Sequence, residues 1–376
     1  MSTTPIPGTW QIGDDPGRRQ FVELKCDDKG FTLESGGSLP SVTVAFETWG
    51  HLNHSATNAV LVLHALTGDS HAEGPTGPGH ASPGWWQALI GPGAPIDTDE
   101  YFVVCPNVLG GCQGTTGPSS PAFDDAPYGS RFPVITIRDQ VAVEVALADE
   151  LGIEKWAAMI GGSMGAMRAL EWSVGYPDRV ERAVVLAVSA AASAEQIALC
   201  SLQVRAIKSD PAYSNGDYYF TGRSPTSGLS IARGLGQLSY RTEHEFDLRF
   251  ARNTQDQESP LHGGRYAIES YLEYQGEKLT RRFDANTYAV LSTTMNHHDV
   301  GRGRGGVAAA LRSVRARVTV AGIASDRLYP LEQQLEIARL IPGEETVHVI
   351  SSEFGHDGFL LETEAVGAVV RTALGN

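Results

Sequence analysis

Three residues of the chain have the types and the order needed for nucleophilic catalysis by a serine. Ser163 lies within Gly161-Gly162-Ser163-Met164-Gly165, between an apolar stretch and a stretch with helical character. A G-x-S-x-G motif between a strand and a helix is typical of the sharp turn that exposes a nucleophilic serine. Asp326 and His356 each follow a later apolar stretch that reads as a strand. In folds where such a turn carries the nucleophile, the catalytic residues follow one another in the order serine, aspartate, histidine.

The three side chains together could perform acyl transfer. A serine hydroxyl is a weak nucleophile at neutral pH, and it needs a neighbouring base. His356 could accept the proton and return it to the leaving group, while Asp326 would fix the imidazole tautomer and stabilise the imidazolium. Taken singly, each residue fits an ordinary loop or turn. Their shared order and positions favour a catalytic triad that forms a serine acyl-enzyme.

Two backbone N–H groups are expected to stabilise the oxyanion of such a reaction. Residues 58–63 read as a strand, and after Asn58 they are continuously apolar, as in a strand that is buried on both faces. The loop after this strand and the residue after the nucleophile supply the oxyanion hole in this arrangement, which points to Leu66 and Met164. His64 begins the same loop, but it precedes the serine in the chain. We therefore interpret His64 as a structural, hydrogen-bonded residue.

Alternating strands and helices must position these residues. From Asn58 to Val188, apolar strand segments alternate with helical segments, which predicts a mostly parallel sheet with helices on both faces. After Ala190, β-branched runs become scarce and helical segments dominate. We predict an α/β-hydrolase fold with an inserted all-helical cap. The predicted divisions are a flexible N-terminal arm at 1–20, a core at 21–190 and 307–376, and the cap at 191–306.

Composition excludes several other classes of protein. The 376 residues carry a formal net charge of −15, which disfavours nucleic-acid binding because phosphate contacts need a basic surface. The four cysteines lack the paired spacing of a metal site, and they fit reduced thiols in the cytoplasm. No stretch reaches the roughly 18 to 20 apolar residues of a membrane span, and no signal peptide is recognisable. We expect a cytoplasmic protein without a metal or a membrane partner.

The motifs together closely resemble those of the homoserine O-acetyltransferase family, whose members are acyl-CoA-dependent and have the α/β-hydrolase fold. The resemblance runs from about residue 20 to the C-terminus. One small departure is Ala166, where many members have a second glycine. The matching segments are His64–Asp69, Asn107–Gly117, Gly161–Gly165, Ser325–Pro330 and Gly355–Leu360.

The resemblance implies a two-step transfer. An acetyl group would pass from the co-substrate acetyl-CoA to Ser163 and then to the hydroxyl of L-homoserine, with no permanently bound cofactor. It also implies that Arg233, Tyr240 and Asp357 contact the amino acid, and that the protein forms a homodimer through the cap. The residue types suit this role, because a guanidinium binds a carboxylate bidentately and a carboxylate pairs with an ammonium group.

Several alternatives remain open. The same triad with water as the acceptor would make a serine esterase, and related enzymes use succinyl-CoA or take serine as the acceptor. A non-enzymatic protein of this fold is disfavoured, because such proteins usually lack a triad member. The basic run of Arg302, Arg304, Arg312, Arg315 and Arg317 could bind the phosphates of coenzyme A or form a solvated helix face.

Overall fold

The computed structural model of the chain describes residues 8–26, 29–343 and 346–375. Residues 1–7 of the predicted N-terminal arm lie outside the described residues. In the remainder of that segment, the Trp10 N–H donates to the carbonyl of Cys112 at 2.9 Å, and the Arg19 guanidinium donates to the carbonyl of Gly79 at 2.8 Å. These bonds attach residues 8–19 to the loops that contain Gly79 and Cys112.

The strands of the described chain form one large sheet and two small ones. They are β1 (Gln20–Glu23), β2 (Phe31–Thr32), β3 (Ser38–Leu39), β4 (Thr43–Trp49), β5 (Ala59–Leu63), β6 (Ile90–Gly91), β7 (Ile96–Asp97), β8 (Phe102–Pro106), β9 (Ala158–Gly162), β10 (Arg182–Leu186), β11 (Arg317–Ile323) and β12 (Val347–Ile350). The large sheet has eight strands in the order β1-β4-β8-β5-β9-β10-β11-β12. Strands β1 and β4 pair antiparallel at one edge, and the six strands from β8 to β12 are parallel.

Helices connect the parallel strands. They are α1 (Ile137–Glu150), α2 (Met164–Gly175), α3 (Ala194–Lys208), α4 (Thr226–Tyr240), α5 (Glu243–Arg249), α6 (Ala267–Thr280), α7 (Ala285–Asn296), α8 (Val307–Arg312), α9 (Leu331–Leu340), α10 (Gly358–Leu361) and α11 (Thr363–Leu374). Among the described residues, none of the helices has the length and apolar composition needed to cross a membrane.

Alternate side chains of the parallel strands enter two separate cores. Met159 and Val185 point to the core formed with α1, α2 and α9. Their neighbours Ile160 and Leu186 point to the opposite core, which contains Trp86 and the apolar face of α11. Strands that are buried on both faces must be apolar throughout, which explains their composition. The predicted α/β architecture, with a mostly parallel sheet between helices, is confirmed.

The long segment between β10 and β11 is helical. It holds α3 to α8, and within it α4 packs against both α3 and α6 while α3 packs against α7. This packing makes one cluster of helices that is separate in sequence from the helices of the sheet. The predicted division into a core and a cap at residues 191–306 stays a prediction.

A buried ion pair joins α1, α2 and the loop after β5. Arg168 of α2 is fully buried and pairs with Glu144 of α1 at 2.5 Å. The indole N–H of Trp172 donates to the same carboxylate at 2.8 Å, and Arg168 also donates to the carbonyl of His64. Because a buried charge without a partner is costly, these contacts hold both helices in a fixed position relative to that loop.

Candidate active site

Ser163 sits at a strained turn between β9 and α2. Its backbone has φ 56° and ψ −125°, a conformation that costs a non-glycine residue about 1–3 kcal/mol. Glycine is required two residues before and two residues after Ser163. A Cβ on Gly161 would lie 2.5 Å from the backbone carbon of Gly165, and a Cβ on Gly165 would overlap the carbonyl oxygen of Leu63. The close packing of helix on strand therefore depends on the glycines of the motif.

The structure brings the three predicted triad residues together. The Nε2 atom of His356 lies 2.9 Å from the Oγ of Ser163, and its Nδ1 atom lies 2.7 Å from Oδ2 of Asp326. The other oxygen of Asp326 accepts hydrogen bonds from the N–H groups of Leu328 and Tyr329, at 2.8 and 2.9 Å. All three triad side chains are buried. Their catalytic roles stay a prediction, and the contacts are those that a serine triad needs.

Burial and charge act in opposite directions on His356. Burial lowers the pKa of the imidazole, but the charge and hydrogen bond of Asp326 outweigh burial, so that the pKa of His356 is raised above its ordinary value. The rings of Tyr240, Tyr329 and Phe359 surround the imidazole at centroid distances of 5.9, 5.1 and 5.3 Å. The histidine is thus held as a strong base in a largely apolar environment.

The two predicted oxyanion donors lie at the serine. Leu66 lines the same cavity as Ser163, and Met164 is the first residue of α2. The first N–H groups of a helix have no partner within it, so the Met164 N–H is available. The Leu66 N–H makes no backbone hydrogen bond within the described part of the chain. These positions fit an oxyanion hole, and the role of both residues stays a prediction.

Side chains from two directions support the loop that carries Leu66. The Nε2 atom of His64 accepts the N–H of Val108 at 3.1 Å, so its Nδ1 carries the proton and donates to the carbonyl of Ala65 at 2.8 Å. Burial, aided by the Arg168 charge, lowers the pKa of His64 to about 3, which keeps the ring neutral. These contacts agree with a structural role. From the helical segment, Arg282 donates to the carbonyl of Thr67 at 2.7 Å.

The predicted substrate residues line the triad's own cavity. This cavity measures about 260 Å³, and its walls include Arg233, Tyr240 and Asp357. The Arg233 guanidinium lies 5.7 Å from the centre of the Tyr240 ring. The carboxylate of Asp357 forms an ion pair with Nε of Arg241 at 3.0 Å. Arg241 could not be identified from the sequence, because nothing in its local pattern distinguishes it from a solvated surface residue.

Arg233 also contacts a buried amide. In the orientation of the Gln237 amide that satisfies both neighbours, its oxygen accepts from Nη2 of Arg233 at 2.8 Å, and its nitrogen donates to the hydroxyl of Tyr271 at 2.8 Å. Arg233 forms no ion pair with a carboxylate in the part of the chain that the structure describes. The guanidinium is therefore positioned by neutral groups on the wall of the cavity.

The structure also contains a cluster of potential metal ligands that was not predicted from the sequence. Ligand atoms of Glu47, His71 and His80 all lie within 4.8 Å of one another in a buried position. However, most of these ligand atoms already form hydrogen bonds with other groups of the chain. Glu47 accepts from the Ser70 hydroxyl and from His71, at 2.9 and 3.0 Å, and Nε2 of His80 accepts the N–H of Arg18 at 3.1 Å. The cluster could hold a metal ion only after losing these hydrogen bonds.

The basic run after residue 300 is largely occupied by acidic partners. Four of its five arginines form ion pairs with carboxylates at distances of 2.5 to 2.8 Å. These contacts disfavour phosphate binding by the run, and the run is not a helix face either, since only Arg312 lies in a helix. The pairs are Arg302 with Glu34, Arg304 with Glu171, Arg315 with Asp178 and Arg317 with Glu181.

Replacing Asp326 with Asn tests the proposed triad geometry. The reaction rate of Ser163 with a fluorophosphonate probe should fall about 10³- to 10⁴-fold near neutral pH, because His356 loses its orienting carboxylate. In the parent, labelling should weaken as pH falls through a histidine pKa above about 6.5, since only the neutral imidazole is a base. In the variant, the loss of labelling rate at acidic pH should occur at a lower pH than in the parent. If it occurs at the same pH, or if the labelling rate stays within tenfold of the parent, the triad assignment is contradicted.

Comparison with known proteins gives the relationships of the chain. A family profile described as the alpha/beta hydrolase fold matches residues 58–363. The chain is 58% identical to the homoserine O-acetyltransferase of Thermobifida fusca (strain YX) over 376 residues, which cover 99% of this chain and 98% of that protein.

Two solved structures resemble the chain along nearly its full length. One is a homoserine O-acetyltransferase from Bacillus anthracis, with a TM-score of 0.87 and 27% identity over 95% of this chain and 97% of that one. The other is the esterase E22, with a TM-score of 0.86 and 28% identity over 95% and 99%. The predicted α/β-hydrolase fold is thereby confirmed. The 58% identity to the Thermobifida fusca enzyme extends over nearly the full length of both proteins. It shows that the chain belongs to the homoserine O-acetyltransferase family.

Proposed function

We propose that the chain transfers an acetyl group from acetyl-CoA to the hydroxyl of L-homoserine through an acyl-enzyme on Ser163. The observation that carries this proposal is the continuous contact from Ser163 through His356 to Asp326, in a cavity that also contains Arg233. Membership of the homoserine O-acetyltransferase family supports the choice of substrates. The reaction is a step of methionine biosynthesis, and acetyl-CoA is a co-substrate, not a resident cofactor.

The first half of the reaction acylates the serine. Oγ of Ser163 attacks the thioester carbonyl while Nε2 of His356, 2.9 Å away, takes its proton. The N–H groups of Leu66 and Met164 stabilise the oxyanion of the tetrahedral intermediate. Asp326 stabilises the imidazolium. The C–S bond then breaks, His356 returns the proton to the sulfur, and the coenzyme A thiol leaves an acetyl ester on Ser163.

The second half transfers the acetyl group to the amino acid. The hydroxyl of homoserine occupies the position that the thiol has left, and His356 now takes the proton of that hydroxyl. The oxygen attacks the ester carbonyl, and the same two N–H groups stabilise the second oxyanion. The bond to Oγ breaks, the proton returns to Ser163, and O-acetylhomoserine is released. One base thus serves both halves of a ping-pong reaction.

The charges on the cavity wall suit a zwitterionic acceptor. The guanidinium of Arg233 has no carboxylate partner among the described residues, and we infer that it binds the carboxylate of homoserine bidentately. Asp357 follows the catalytic histidine, and we infer that its carboxylate binds the ammonium group while Arg241 holds it in place at 3.0 Å. Tyr240 packs between Arg233 and the His356 ring, which places its side chain against the bound amino acid.

The role of Arg233 is tested with a matched pair of acceptors. Homoserine carries a carboxylate, and 2-amino-1,4-butanediol has a hydroxymethyl group in its place. Arg233→Ala should lower the preference for homoserine, measured as the ratio of kcat/KM values, about 10- to 100-fold, the size of a lost charge-assisted hydrogen bond. Arg205→Ala, at an exposed arginine of α3, is the control. An unchanged preference in the Arg233 variant would show that the carboxylate binds elsewhere.

Water is the competing acceptor. The similarity to the esterase E22 shows that this fold also occurs in hydrolases, so a serine esterase is the alternative function. A cavity roofed by α3, α4 and α6 favours transfer, because a covered acyl-enzyme is protected from water. Succinyl-CoA as the donor and serine as the acceptor are the closer alternatives. Comparing both donors and both acceptors with the purified protein separates them.

The acyl-enzyme is tested with the donor alone. After a short incubation with acetyl-CoA and an acid quench, mass spectrometry should find one acetyl group on the peptide that contains Ser163. Ser163→Ala should show no adduct, and its turnover should fall about 10⁴- to 10⁶-fold, as for other triad deletions. Parallel double-reciprocal plots with homoserine should accompany the adduct. Intersecting plots without an adduct would rule out the covalent route.

We further propose that residues 191–306 form a cap through which two chains dimerise in the cytoplasm. Large apolar side chains are exposed on cap helices α3 and α4, at Ile197, Leu202, Ile231 and Leu238. Burying such side chains between two copies would be favourable, and light scattering on the purified protein tests the dimer. Cys105, Cys112 and Cys200 are buried free thiols, which is usual in the reducing cytoplasm.

A further inference from the structure

The catalytic cavity is too small for the whole acyl donor. Its volume of about 260 Å³ is below the range of about 300 to 1,000 Å³ that encloses a drug-sized ligand, and coenzyme A is larger than such ligands. The thioester must reach Ser163, so the pantetheine arm fills the cavity. The nucleotide end, with its diphosphate and 3′-phosphate, must lie at the mouth or beyond it.

Three long cationic side chains line this cavity, namely Arg233, Lys278 and Arg282. None of them forms an ion pair with a carboxylate of any residue that the structure describes. By contrast, four arginines of the basic run after residue 300 are paired with acidic residues. Arg233 is already accounted for by the acceptor carboxylate. Lys278 and Arg282 therefore have no carboxylate in direct contact among the described residues, although the charge of Asp69 acts favourably on Arg282.

Arg282 is the more unusual of the two. Among the described residues, its side chain donates a hydrogen bond only to a neutral group, the carbonyl of Thr67 at 2.7 Å, and burial lowers the pKa of its guanidinium. A guanidinium has five N–H donors, so most of its donors remain available to a ligand. A partly buried cation without a carboxylate in direct contact gains from binding an anion, because the charge is poorly solvated.

The position of Arg282 links the catalytic cavity to a second one. A neighbouring cavity of about 300 Å³ shares with it the wall residues Asp69, His71, Ser82 and Arg282. Lys278 lies four residues before Arg282, in the last turn of α6, and is exposed at the edge of the catalytic cavity. The carboxylate of Asp69 accepts the N–H of His71 at 2.9 Å, so part of its charge is already compensated.

We propose that Lys278 and Arg282 form an anion subsite at the junction of these cavities and bind a phosphate group of the acyl-CoA donor. This inference rests on the proposed function, since it assumes an acyl-CoA substrate. Lys278 contributes a mobile ammonium group from the solvent side, and Arg282 contributes fixed N–H donors from the inner side. The subsite positions the donor so that its thioester extends to Ser163.

A structural role for Lys278 makes a different prediction. The carboxyl end of α6 carries partial negative charge, and a lysine in the last turn stabilises a helix for that reason alone. A lysine that served only the helix would affect stability, and it would affect all acyl donors equally. A phosphate-binding lysine affects only donors that carry phosphate.

The test compares two donors in four proteins, namely the parent, two Lys278 variants and a control variant. Acetyl-CoA carries the phosphates, and S-acetylpantetheine has the same thioester and arm without them. The readout is the ratio of their kcat/KM values in transfer to homoserine. Lys278→Ala should lower this ratio roughly threefold to tenfold, as expected for one exposed charge contact. Lys278→Glu should lower it further. Lys208→Ala, at an exposed lysine of α3 that is remote from the cavity wall, is the control and should keep the parent ratio.

Salt provides an independent readout. For the parent, kcat/KM with acetyl-CoA should fall as ionic strength rises, more steeply than with S-acetylpantetheine, and Lys278→Ala should reduce the difference between the two slopes. An unchanged donor ratio in both Lys278 variants would overturn the subsite while leaving the proposed function in place. A parent that transfers acetyl from neither donor to homoserine would overturn the proposed function, and the subsite with it.

Discussion

The hydrogen bond between His356 Nδ1 and Asp326, at 2.7 Å, is the interaction on which the rest of the site depends. It fixes the tautomer of the imidazole, so that Nε2 presents a lone pair to Ser163. It also opposes burial, which by itself would lower the pKa of His356 and weaken the base. The carboxylate is held in turn by the backbone N–H groups of Leu328 and Tyr329, which belong to the same loop.

The proposed oxyanion hole needs comparable rigidity, and it is supported from two sides of the molecule. Arg168, which forms a buried ion pair with Glu144, donates to the carbonyl of His64 at the start of the loop. Arg282, two residues beyond the end of α6, donates to the carbonyl of Thr67, the residue after Leu66. The loop is thus held both by a helix that packs on the sheet and by the helical segment between β10 and β11.

The sequence alone predicted the features that short segments determine. The G-x-S-x-G turn, the continuously apolar strands and the chain order of Ser163, Asp326 and His356 are local or ordinal patterns, and the fold follows from them. It could not identify Arg241, Lys278 or Arg282, because each owes its position to contacts between distant segments. Arg282, for example, meets Thr67 across 215 residues of chain. The Glu47, His71 and His80 cluster was missed for the same reason, since its members come from a strand and two parts of a loop.

The most direct test of the account follows the fate of the acyl group on Ser163. Enzyme loaded with radiolabelled acetyl-CoA and freed of excess donor is mixed either with homoserine or with buffer alone, and the released label is separated with time. We predict that homoserine discharges the label as O-acetylhomoserine, at a rate that rises with homoserine concentration and greatly exceeds release into buffer. Label released as acetate at the same rate with and without homoserine would contradict the account, because water would then be the acceptor.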